Sequence, residues 1–263
     1  MNLKSLAFFT IAILVLCNSS RIVKVFDHKC SVHDDKCIET LYTSLIQKVA
    51  DDGIPEIGVP KADPLVIENM NVDTLGLFNV TLIKGAAKGL KNCHITSYKD
   101  HFKAGHESIE VVCDLFTLEG SYVLESTPAF LALSSGINIH GKGKGSIAVE
   151  KLKLNLDIAY GEKKHADSEI YFELKPEESA YTFDVLGKLT VTGDGLFVGN
   201  QDVSAVAVNI INEYWKGWVK IVGKPFFNKV INFFNENAQL LLDNVPASHF
   251  ITEDLSDYVK NSV

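Results

Sequence analysis

The sequence is short of basic residues: 25 Lys and Arg stand against 33 Asp and Glu, a formal charge of -8. Nucleic acid and anionic bilayers call for a basic face, so both are excluded as main partners. Neutral, apolar or cationic partners remain. The sequence also lacks any apolar run long enough to span a bilayer, the longest being Leu6–Cys17. It has no Gly-x-Ser-x-Gly elbow, which removes the usual lipase and esterase arrangement. No two cysteines have Cys-x-x-Cys spacing, which removes the common zinc pattern. There is no low-complexity segment. With 46% hydrophobic and 22% charged residues, the remainder is the composition of a folded globular chain.

What is present begins with a leader. Lys4 precedes the twelve-residue apolar run Leu6–Cys17, and Asn18, Ser19 and Ser20 give a small polar exit. As a helix that run would span about 18 Å, well short of the roughly 30 Å of a hydrocarbon core. Residues 1–20 therefore read as a secretory signal peptide, and 21–263 as one mature, secreted, extracellular domain. Cleavage removes Lys4 and Cys17, leaving 24 basic residues against 33 acidic, a charge of -9, and four cysteines. An even number in a secreted chain predicts two disulfides. Cys30 and Cys37 bracket a short polar loop. Cys93 and Cys113 lie on two alternating runs, and an antiparallel register that sets them opposite each other also sets Ile95 opposite Val111. Local pairing is expected on both counts.

Three kinds of pattern follow one another. Ile38, Leu41, Tyr42, Leu45, Ile46 and Val49 have helical spacing, stopped by Gly53 and Pro55. From about Leu65 to Leu196 the period is two, as in Phe78, Val80 and Leu82, with turn signals at Gly85, Gly120, Gly136, Gly161, Pro176, Gly187 and Gly193. Roughly eight antiparallel strands are expected. From Asp202, a candidate N-cap, to about Pro246 one long helix is expected, bent at Pro225. Polar residues from Asn209 to Asp243 recur at a mean spacing near 3.8, close to the helical period of about 3.6. The rest of that helix is apolar, so it must be surrounded. The predicted fold is α+β: a short N-terminal helix, and a long C-terminal helix wrapped by a highly curved antiparallel sheet. Such a sheet encloses an elongated apolar space, which side chains or a ligand could fill. Candidate ligand-lining residues on the helix are Ile210, Tyr214, Trp218, Ile221, Phe226 and Phe233. Trp218, about 200° from Lys216 around the helix, is expected to point into the enclosed space beside Tyr214 and Ile221.

The order of short motifs carries a resemblance. Cys30-(x6)-Cys37 is followed by Asp52-Gly-Ile-Pro-Glu-Ile-Gly-Val-Pro60 and Asp63-Pro64-Leu65. Then come Gly89-Leu90-Lys91-Asn92, Leu118-Glu-Gly-Ser-Tyr122 and Gly141-Lys-Gly-Lys-Gly145, the last taken as a glycine-rich turn. Leu196-Phe197-x-Gly199-Asn200, Ile211-Asn-Glu-Tyr-Trp215, and Val245-Pro246 with Phe250 complete the series. This succession, over residues 27–251, resembles the insect takeout / haemolymph juvenile-hormone-binding protein family. The resemblance implies a tubular lipid-binding fold with an apolar tunnel. It also implies carriage of juvenile hormone, a related isoprenoid or a fatty-acyl molecule; a monomer in haemolymph or another extracellular fluid is expected. The alternatives are an immune-type relative of similar architecture and a filled, structural domain.

Other chemistry is weakly represented. Gly136-(x4)-Gly141-Lys142 has the skeleton of a phosphate loop, but Gly143 stands where Ser or Thr must bind magnesium. His101, His106 and Glu107 share a polar loop, as exposed histidines commonly do. No cofactor, metal, nucleic acid or stable membrane insertion is expected, and no catalytic constellation is recognisable. Asn79-Val-Thr81 is a glycosylation sequon on the outward side of its strand.

Overall fold

The structure, a computed structural model, describes residues 25–259 except Leu75; the expected leader, 1–20, lies outside the described residues. In chain order the elements are α1 (Asp35–Asp51), β1 (Leu65–Thr74), β2 (Phe78–Lys88), β3 (Cys93–His101), β4 (His106–Ser126), α2 (Pro128–Leu133) and β5 (Ile139–Lys164). There follow β6 (Ile170–Leu174), β7 (Ala180–Val185), β8 (Leu189–Gly193), β9 (Leu196–Val198), β10 (Gln201–Asp202), α3 (Ser204–Glu213) and α4 (Trp215–Asn244).

Strands β4 and β5 form the frame. They pair antiparallel from His106 opposite Ala159 to Glu125 opposite His140. The other edge of β4 carries β2 along its second half and β3 along its first. The other edge of β5 carries β6, β7, β8 and β9 in succession, at Tyr160–Lys164, Leu152–Asp157, Gly145–Val149 and Ile139–Gly141. Strand β1 completes the far edge against β2. Cys93 stands opposite Cys113 and the two are bonded, as are Cys30 and Cys37.

The sheet bends where its ladder is disturbed. Cys113 pairs with Leu152 and Leu115 with Glu150, while Lys151 between them has φ 49°. The inward positions therefore change from odd numbers (Ile109, Val111, Cys113) to even ones (Phe116, Leu118). A second irregularity lies between Leu82 and Lys84, opposite Asn69 at φ 51°. Between these, Gly85, Gly120, Gly145 and Gly193 form one row across β2, β4, β5 and β8. A Cβ on Gly120 would lie 2.5 Å from the Lys84 carbonyl oxygen, and one on Gly85 2.7 Å from that of Glu119. Only glycine admits the neighbouring backbone so closely. This corrects the sequence expectation: Gly85, Gly120 and the Gly141–Gly145 segment lie inside strands rather than in turns, and there are ten strands among the described residues rather than eight.

The C-terminal helical region closes the curved sheet. It touches both edges, β1 on one side and β6 and β8 on the other. The free edge strands find hydrogen-bond partners on the helices. Gln239 Oε1 accepts from Leu174 N–H at 2.8 Å, and Asn212 exchanges two bonds with Val191. Helix side chains thus satisfy backbone groups that an open edge would leave unpaired. The helix is interrupted at Tyr214 (φ -106°, ψ 28°) and not at Pro225, which lies inside α4. The carbonyl freed by Pro225 belongs to Ile221, on an exposed turn where water can meet it. Tyr214 is where the chain passes from α3, packed on β8 and β9, to α4, packed on β6 and β1. Asp202 accepts from Ser204 N–H at 2.8 Å, with Val203 as the boundary residue.

One end of the tube is tied shut. Asp34 caps α1 by accepting from Cys37 N–H at 3.0 Å, and Ile38 and Leu41 are buried beneath it. Buried Phe250 lies 4.6 Å from Phe26 between ring centroids. Cys30 N–H donates to Phe250 O, and Thr252 N–H to Cys30 O. Glu253 accepts from Ser31 Oγ and from Val32 N–H. The last described residues are therefore part of the seal, with Leu255 buried and Tyr258 stacked edge-on against Phe102.

A candidate ligand-binding interior

Packing is uneven along the tube. The buried cluster gathers α1, β3, the first half of β4 and the second half of β5 with Phe227, Leu241 and Val245. In the other half the sheet register sets Met70, Val80, Leu82, Leu124, Ile147 and Val191 on the same face as buried Leu118 and Val149. Each of these six stays only half-buried. This apolar face is therefore less completely covered than the packed half. Polar groups along it are satisfied internally: Tyr122 donates to the Asp194 carbonyl at 2.9 Å, Thr74 to that of Phe78 at 2.9 Å. The wall offers apolar surface and few free hydrogen-bonding groups.

At the sealed end a carboxylate faces inward. Glu107, buried, accepts from Tyr98 OH at 3.0 Å and from Tyr42 OH at 3.4 Å. Burial pushes its carboxyl up from 4.5 to about 7, the charge of Asp100 adds to the rise, and the two phenols oppose it. Burial likewise raises Tyr98 and Tyr42, reinforced by mutual repulsion with Glu107. Asp100, raised mainly by burial, accepts from Tyr160 OH at 2.7 Å. The Glu107 carboxylate therefore belongs to the joint between α1 and the sheet. It does not converge on a common ligand point with His106, which sits 3.6 Å from Asp157 on the next position of the strand.

The six helix residues proposed from sequence separate. Phe226 packs against the buried cluster, 5.5 Å from Phe227, and half-buried Phe233 lies 6.0 Å from Phe234. Trp215, Val219 and Val230 also pack against that cluster, and Gly223 is buried against the Phe183 ring. Ile221 follows Val219 by about 200° around the helix and so faces away from the sheet. It is exposed, as are Ile210 and Tyr214. Trp218 is half-buried, between the two faces. The structure thus turns Trp215 toward the core and leaves Tyr214, Ile210 and Ile221 outside. Sequence reasoning overlooked the sheet side of the interior, although the alternation of Phe78, Val80 and Leu82 marks it. Asn79 is exposed between half-buried Phe78 and Val80.

A family model described as haemolymph juvenile hormone binding protein matches residues 7–252. Among solved structures, the crystal structure of Takeout 1 from Epiphyas postvittana is similar, with a TM-score of 0.75 and 23% sequence identity. The similarity covers 86% of this chain and 100% of that one. No curated protein matches the chain.

Proposed function

The chain belongs to the haemolymph juvenile hormone binding protein family, and on that premise we propose that it is a secreted carrier holding one elongated apolar molecule inside the curved sheet. The observation that carries the reading is the half-buried apolar wall of Met70, Val80, Leu82, Leu124, Ile147 and Val191, which the strand register sets on one face of the sheet. A wall with little hydrogen-bonding capacity fits an isoprenoid such as juvenile hormone, or a fatty-acyl chain, selected by length and shape rather than by polar recognition. The bonded cysteine pairs fit an extracellular setting. The reading includes removal of residues 1–20, a single monomeric domain over 21–263, glycosylation at Asn79, and binding rather than catalysis.

The test is mass spectrometry of an organic extract of the purified mature protein, followed by displacement with farnesoid and long-chain acyl probes. A stoichiometric apolar molecule, displaced by one of these classes, is expected. Clean extracts from several expression hosts, with no saturable binding of either probe, would leave a structural domain as the better account.

A further inference from the structure

The overall acidity hides one basic face. Between Glu213 and Glu236 the sequence has no Asp or Glu, yet it carries Lys216, Lys220, Lys224 and Lys229. All four are exposed, and the first three recur every four residues along one flank of α4. Among the described residues none of the four makes an ion pair. By contrast Lys84, Lys88, Lys153 and Lys163 on the sheet each face a glutamate. The Lys216 ammonium instead lies 5.6 Å from the centre of the Trp215 ring.

Beside this row runs an apolar one. Val206, Ile210, Tyr214 and Ile221 are 61%, 46%, 62% and 43% exposed. The first three are spaced by four residues. Ile221, opposite the packed positions Val219 and Gly223, extends the row past the interruption at Tyr214. On α3 the partner face is fixed independently, because Asn212 is bonded to β8. The outward surface of α3 and α4 therefore combines apolar side chains with unpaired lysines over about 27 Å, at 1.5 Å per residue from Val206 to Lys224. That combination suits a helix lying in the plane of a lipid headgroup layer, apolar groups inserted and ammonium groups among phosphates.

We propose that this outward face of α3 and α4 docks on anionic lipid bilayers. The occupant follows from charge: an unneutralised stretch of four lysines complements an anionic surface, while the acidic remainder of the molecule is repelled and turned away from it. An acidic protein would also attract lysines, but the inserted row of Val206, Ile210, Tyr214 and Ile221 would find no acyl layer there. The surface is independent of whatever the interior holds, so docking and carriage can fail separately. The exclusion of anionic bilayers from net charge alone is revised accordingly, for peripheral contact and not for insertion. Among the described residues no helix is long and apolar enough to cross a membrane.

Sedimentation of the mature protein with phosphatidylcholine vesicles, with and without phosphatidylserine, tests this. Each lysine near an anionic surface contributes about five-fold, so phosphatidylserine should strengthen partitioning about 100-fold through the three-lysine row, and salt should remove the gain. Lys216→Glu/Lys220→Glu/Lys224→Glu should lose the gain. Lys84→Glu/Lys142→Glu/Lys144→Glu, the same charge change on the sheet, should retain most of it. Tyr214→Ser/Ile221→Ser keeps the charge and should weaken partitioning several-fold. No partitioning of the wild-type protein onto phosphatidylserine vesicles would overturn the proposal. So would equal losses in the two lysine triples, or an undiminished Tyr214→Ser/Ile221→Ser variant.

Discussion

Asn212 holds Val191 by both of its backbone groups: Oδ1 accepts from the Val191 N–H at 2.7 Å, and Nδ2 donates to its carbonyl at 2.9 Å. One side chain thereby replaces a missing neighbouring strand at the edge of β8, and it fixes which face of α3 meets the sheet. Asn212→Ala leaves both groups of Val191 without that partner. A loss of about 2 kcal/mol is expected, measured by urea unfolding. Asn212→Asp should cost at least as much, because its carboxylate then faces the Val191 carbonyl.

Glu107 predicts a pH dependence with a definite sign. Its carboxyl is raised from 4.5 to about 7 in the folded state, so the folded chain holds the proton more tightly than the unfolded one. Below pH 4.5 the group is protonated in both states and has no effect. As pH rises to about 7 the unfolded state gains the charge freely and the folded state gains it buried, so stability falls. The shift corresponds to about 3 kcal/mol. Glu107→Gln should therefore gain stability relative to the wild type between pH 5 and 8 and lose the advantage near pH 4, as denaturant titrations at each pH would read.

Tryptophan emission should follow Trp215 when an apolar ligand enters. Trp215 packs against the buried cluster and Trp218 sits on the flank. Titration of Trp218→Phe with a farnesoid or long-chain acyl probe should still give a saturable intensity change, and Trp215→Phe should not. Response confined to Trp218 would reverse the assignment. Trp215→Ala should also cost about 3 kcal/mol through the cavity it leaves.

The glycine row separates close approach from mere smallness. A Cβ on Gly120 would stand 2.5 Å from Lys84 O, whereas one on Gly193 would meet Lys144 O at 3.6 Å, an ordinary contact. Gly120→Ala should lower the melting temperature steeply or prevent folding. Gly193→Ala should change it little. Equal tolerance of the two would mean that the sheet bends elsewhere.

The fold was readable because its signals are local. Two-residue alternation around Phe78–Leu82, helical spacing at Ile38–Val49, and the facing of Cys93 with Cys113 all depend on neighbours in sequence. The direction of the long helix was not, and the reason is physical. Polarity does not mark solvent along this helix, because Asn212 and Gln239 bond to bare strand edges. A stripe recurring every 3.8 residues also winds around a helix of about 3.6 residues per turn, so one lysine cannot define the outside along its whole length. Tyr214 and Ile221, expected inside, therefore lie outside. In sequence Glu107 reads as part of a polar loop, because its tyrosine partners, Tyr42 and Tyr98, come from α1 and β3 and no single-sequence pattern joins them.

The attachment of four short strands along one edge of β5 bears on how the molecule assembles. The chain leaves β5 at Lys164 and climbs back beside it, so β6, β7, β8 and β9 reach progressively earlier residues of the same strand. Once the hairpin of β5 and β6 has formed, each further strand needs only a short linker to be closed, and every closure adds little entropic cost to the last. Assembly can therefore run like a zip from the sealed end toward the opposite one, with modest contact order despite the length of β5. A chain interrupted after β7 would carry a bare edge from Ile139 to Val149, with neither α3 nor α4 to cover it, and such an edge invites pairing with another copy.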